Sequence, residues 1–161
     1  MKRAAGSELR AFLGAFSPEI AQIALRLRTI VLDQARGASE FIDDADGDVA
    51  MAYALTENAA DAFCRIAVHG DRVDLEFGLG SQLPDPERRL AGRGRGTRRL
   101  RMASFDDLRE PFVGRFLRAA MKAAPQSEAR TGKRSEPRSV VRGVYAKTPR
   151  PEKPARKKGG P

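Results

Sequence analysis

The residues from Arg88 to Arg101, RRLAGRGRGTRRLR, hold seven arginines among fourteen positions and no acid. Guanidinium groups bind phosphate and carboxylate through paired N–H donors, and glycines let backbone N–H groups come close to an anion. Arg93, Arg95, Arg98, Arg99 and Arg101 are therefore candidate anion ligands, with Gly92, Gly94 and Gly96 between or beside them. The spacing is not that of a dinucleotide fingerprint. It lacks G-x-G-x-x-G, and the segment leads into a strand rather than onto a helix N-terminus whose dipole would hold a pyrophosphate. The competing reading is a solvated loop in which glycines permit positive φ and the arginines pair with acids such as Asp85, Glu87 and Asp106. That reading is the stronger of the two.

A second group of residues is acidic: Glu40, Asp43, Asp44, Asp46 and Asp48. Carboxylate oxygens suit hard cations, which makes Glu40, Asp43 and Asp44 weak metal candidates. The Asp44-x-Asp46-x-Asp48 run has no Glu at calcium-loop spacing downstream, and a solvated turn is the better reading of these acids. Cys64 and His69 are five apart in one expected strand, so their side chains point to opposite faces and cannot pair as nucleophile and base. Cys64 reads as a small buried hydrophobe and His69 as a turn residue. A G-x-S-x-G elbow is absent from the sequence, so no constellation for an enzyme emerges.

These residues must be positioned by helices and strands whose periods are legible. Leu9, Phe12, Leu13 and Phe16 have helical spacing over 7–16. Ser17 can cap a second helix near 18–36, with Pro18 at its first position, Glu19 at the positive end of its dipole and Gly37 as its stop. Its apolar stripe is Ile20, Ile23, Ala24, Leu27, Ile30 and Val31. After the acidic connector, Val49, Met51, Tyr53 and Leu55 alternate as a strand. A hairpin follows, with Cys64, Ile66, Val68, Val73, Leu75 and Phe77 inward, a turn at His69–Arg72, and Asp74 and Glu76 on the wet side. Leu100 and Met102 mark a last strand. Ser104 and Asp107 resemble a capping box ahead of a closing helix, with a restart at Pro111, that buries Leu108, Phe112, Phe116 and Leu117 up to about residue 123. The expectation is an α+β fold, a small antiparallel sheet with helices packed on one face.

The charge is uneven. Residues 1–124 carry 19 Lys and Arg against 18 Asp and Glu, a balance of +1, whereas residues 125–161 carry 11 against 3, a balance of +8. The second segment is rich in Pro, Gly, Lys and Arg and has too few apolar groups to offset its ordering entropy. The chain thus divides into a domain at 1–124 and a disordered basic tail at 125–161. Such a tail can make sequence-independent phosphate contacts with nucleic acid. No apolar run reaches membrane-helix length, Glu8 and Arg10 interrupt any signal-peptide core, and the single cysteine suits a reducing compartment. The expected location is cytoplasmic, without a membrane partner.

Across roughly 7–124 the chain resembles the YdhG-like family, domain of unknown function 1801. The resemblance rests on an ordered set: Val-Asp-Leu-Glu-Phe in the second hairpin strand, "LPDP", the Leu-Ala-Gly-x-Gly loop, basic residues in the next strand and the Asp-Asp-Leu start of the closing helix. The helical opening LRAFLGAFSPEIAQIALRLRTIV is similar too. The connector EFIDDADGDVAMAYAL departs from the family in lacking its Tyr-Gly-x-Pro segment, and the basic tail lies outside the shared domain. The resemblance implies a fold likened to frataxin and a non-enzymatic binding or carrier module for a small ligand or protein; at least one branch of the family is associated with iron delivery, which makes iron the cofactor that the resemblance suggests. The alternative is a nucleic-acid-associated protein working through residues 125–161.

Overall fold

The computed structural model describes residues 3–45, 47–109, 111–126 and 138–144. Two helices, α1 (Ser7–Leu13) and α2 (Pro18–Gln34), precede the strands β1 (Ser39–Ala45), β2 (Asp48–Ala54), β3 (Cys64–Val68), β4 (Val73–Phe77) and β5 (Arg98–Met102). Helix α3 (Phe112–Ala123) and strand β6 (Ser139–Val144) follow. The six strands make one mixed sheet in the order β5-β4-β3-β2-β1-β6, antiparallel throughout except that β6 runs parallel to β1. The fold is α+β.

Local chemistry explains the helix starts. The Ser17 hydroxyl accepts from the Ile20 N–H at 3.3 Å, and Pro18 fills the first position, where no intrahelical N–H bond is lost. The Asp107 carboxylate accepts from the N–H groups of Ala103 and Ser104 at 2.8 and 3.0 Å. This turn is a separate 3-10 segment, Phe105–Arg109, and α3 starts afresh after Pro111.

All three helices contribute to the core on one side of the sheet. Leu9, Leu13, Ile23, Leu27, Val31, Phe116 and Leu117 meet Met51, Tyr53, Ile66, Val68, Leu75 and Phe77 there. The Phe77 and Phe116 rings lie 6.1 Å apart in a tilted pair. Phe112 is half-buried at the margin of this core, packed against it on one side, with the guanidinium groups of Arg89 and Arg115 over its ring at 4.5 and 4.7 Å. Among the described residues, no helix is long and apolar enough to cross a membrane.

Two corrections concern chain organisation. The acidic connector is itself a strand: Ser39–Ala45 pairs with Asp48–Ala54 over its whole length, and Gly47, at φ 87°, turns the chain between them. The tail also differs. Residues 138–144 belong to the sheet, pairing Glu40 with Ser139 and Ile42 with Val141, so the folded unit extends past residue 124 and the sheet is not wholly antiparallel. The rest of the expected tail beyond residue 126 lies outside the described residues.

Candidate binding face

Strand alternation sends every second side chain to the face opposite the helices. Two cross-strand rows result. One runs Phe41, Ala52, Arg65, Glu76, Arg99; the other runs Asp43, Ala50, Ala67, Asp74, Arg101. Among the described residues no helix packs on this side. Its middle is paved with alanine, and the short 3-10 turn Ala59–Asp61 rises at one end. Phe41, Ala52 and Ala54, with Ala59 and Ala62 against them, form a small apolar cluster there. The outcome is a depression of about 680 Å³ with an alanine floor and walls of Arg65, Arg142, Asp43, Asp48, Glu76 and Thr97. Small floor residues let a ligand descend close to the backbone, and walls of both signs select for charge pattern rather than net charge.

One wall depends on the returning strand. Arg142 on β6 donates to Asp43 at 2.6 Å and lies 5.4 Å from the centre of the Phe41 ring. Near the β3–β4 turn, the His69 ring stands between two acids, with Nδ1 3.3 Å from Asp48 and Nε2 3.4 Å from Asp74. Asp74 is not on a wet surface as its alternation suggests. It is only 1% exposed, with Arg72 at 3.3 Å and Arg101 at 3.7 Å beside its carboxylate.

The metal candidates part company. Glu40 points to the helix side, where it is fully buried and takes four hydrogen bonds. Its Oε2 accepts from Arg28 Nε and the Tyr53 hydroxyl, each at 2.7 Å; its Oε1 accepts from an Arg28 terminal nitrogen at 2.9 Å and the Ser139 hydroxyl at 2.7 Å. Burial would raise this carboxyl, but the Arg28 bonds and charge, joined by Ser139 and Tyr53, bring it below the usual range. Burial and the neighbouring Glu40 charge push the Tyr53 phenol well up, so it stays neutral and donates. Arg28 also donates to the Arg3 carbonyl at 2.8 Å. The cluster therefore joins the N-terminal segment, α2, β1, β2 and β6. It is a fastening, and it leaves Glu40 no oxygen face for a metal. Asp43 pairs with Arg142 as described, and Asp44 pairs with Val49 in the ladder at the far end of β1.

The arginines do not converge on one grip either. Arg98 turns back into its own loop, donating to the carbonyls of Arg93, Gly94 and Thr97 at 3.2, 2.7 and 3.1 Å. Arg93 and Arg95 are exposed on the loop, whereas Arg99 and Arg101 belong to the open sheet face. Of the expected acid partners, Glu87 bonds Arg115 at 2.7 Å, and Asp85 caps the N–H groups of Arg89 and Leu90. Gly92 and Gly94 take φ of 144° and 82°, as the loop reading requires. Gly80 is needed for another reason, since a Cβ there would collide with the Arg98 Cβ. Cys64 faces the core, and burial drives its thiol well above its ordinary value.

Sequence reasoning missed Asp48, Arg65, Glu76, Thr97 and Arg142 as wall residues. The Asp46-Gly47 pair, a two-residue hairpin signal, marks β1 and could have exposed the first. No family model, curated protein or solved structure matches this chain.

Proposed function

We propose that this protein is a non-enzymatic binding or carrier module that takes a small polar ligand on the open face of its sheet. The observation that carries this reading is the alanine-floored depression of about 680 Å³ walled by charges of both signs. A floor of Ala50, Ala52, Ala59 and Ala62 with Arg65 and Glu76 on one side and Asp43 and Arg142 on another suits a molecule that bears both a cationic and an anionic group. The likeness to YdhG-like proteins supports the same class of role. The thiol of Cys64 is buried and protonated, which favours binding over nucleophilic catalysis. The test is amide chemical-shift mapping of the metal-free full chain against a library of zwitterionic metabolites. Perturbations centred on Ala50, Ala52, Arg65 and Glu76 are expected. Perturbations confined to the apolar crevice between Leu79, Leu83 and Ala120, or to the Gly92–Gly96 loop, would overturn it.

The charge of +8 on residues 125–161 favours a second reading, sequence-independent binding of nucleic acid. Two of those cations, Arg138 and Arg142, already pair with Glu57 and Asp43. About five phosphate contacts would give a salt slope of roughly −4.5, so duplex affinity would fall about 500-fold between about 50 and 200 mM salt. A flat salt response would exclude this second reading.

A further inference from the structure

We propose that His69, Asp74 and Glu76 form a site for a first-row divalent transition metal at the end of the open face. The inference stands on its own geometry and does not require the ligand reading above. Asp74 and Glu76 are two apart on β4 and share a face, and His69 leaves the end of β3 on that same face. Each offers one ligand atom, and all three atoms lie within 4.8 Å of one another. Tetrahedral coordination at about 2.1 Å sets ligand atoms roughly 3.4 Å apart. The observed spread of up to 4.8 Å is wider than this, so a bound ion would draw the three side chains together.

Two further observations point to a cation. The Asp74 side chain is 2% exposed, and while its Oδ2 accepts from Arg72 Nε at 3.3 Å, its Oδ1 accepts no hydrogen bond among the described residues, with the Arg101 guanidinium 3.7 Å away. A buried carboxylate oxygen without a donor is costly and rare. In addition, Asp48 sits 3.3 Å from His69 Nδ1, the position of an acid that takes the Nδ1 proton and leaves the Nε2 lone pair for a metal. Opposing charges are present: Arg72 at 3.3 Å and Arg101 at 3.7 Å from Asp74, and Arg65 at 4.0 Å from Glu76. Arg65 and Arg101 are more than half exposed and can swing into solvent. These cations disfavour weak, hard ions such as calcium, and the imidazole nitrogen favours zinc-like metals. Water would complete the coordination from the depression.

His69 is the chain's one histidine, so its ring signals report on the site without ambiguity. The full chain, stripped with chelator, would be titrated with zinc chloride by calorimetry and by proton NMR. One zinc per chain and a shift of the His69 ring signals are expected. Glu76→Gln and His69→Gln, both at partly exposed positions, should each weaken binding at least about ten-fold, and Asp48→Asn by about ten-fold through loss of ring orientation. Thermal melts of the metal-free variants check that each is folded. Unmoved His69 signals, or zinc affinity unchanged in both Glu76→Gln and His69→Gln, would overturn the site.

Discussion

Replacing Ser139 with alanine removes one hydroxyl at the edge of the sheet and tests whether β6 is fastened as described. The hydroxyl donates to Glu40 Oε1 at 2.7 Å, and the carboxylate it serves is fully buried. A hydrogen bond to a charged group contributes about 1.5–3 kcal/mol. Ser139 itself is exposed at the edge, so water can take part of the hydroxyl's place, which puts the expected loss near the lower end, about 1.5 kcal/mol. With a urea m-value of about 1.5 kcal/mol/M, the unfolding midpoint of the full chain should drop by about 1 M. The control is a background in which Arg28→Met and Glu40→Leu replace the buried ion pair with apolar groups, an exchange that is often close to neutral. There the same Ser139→Ala change should shift the midpoint by less than about 0.3 M. An unshifted midpoint in the native background would mean that β6 is not held by Glu40. An equal loss in both backgrounds would mean that the hydroxyl acts through another partner.

Ending the chain at Gln126 should destabilise it by more than Ser139→Ala does, because β1 also loses its parallel neighbour; a urea midpoint equal to that of the full chain would refute this. Glu40 also sets an acid limit. Its folded-state value lies below the ordinary value of about 4.5, so its contribution is complete above that value and is lost as the pH falls through the lower, folded-state one. Melting temperature should accordingly fall less steeply below about pH 4.5 in the Arg28→Met, Glu40→Leu background than in the native chain, and parallel curves would count against the assignment. Phe116→Ala should cost about 3–5 kcal/mol, since the ring is 1% exposed and packs against Phe77; a loss below about 1 kcal/mol in urea titration would place the ring elsewhere. Cys64 should resist iodoacetamide in the native chain and react once it is unfolded in urea, and rapid native alkylation by mass spectrometry would contradict its burial.

Local pattern alone determined much of this protein. Helical spacing in Ile20, Ile23, Ala24, Leu27 and Val31, alternation through Cys64–Val68 and Val73–Phe77, and the Ser17-Pro18 start each depend on near neighbours, and each is legible from residue order. The tertiary structure decided what depends on distant partners. Ser39–Ala45 is too acidic to read as a strand until β2 on one side and β6 on the other supply its pairing, with Arg28 and Arg142 neutralising Glu40 and Asp43. Ser139–Val144 lacks an apolar period of its own and is ordered by an acid 99 residues away. The binding face follows the same logic. Alanines at 50, 52 and 67 look unremarkable along the chain, and only the register of three strands gathers them onto one open face beside Asp74 and His69. A residue's period is written in its neighbours, whereas its charge partner is chosen by the fold.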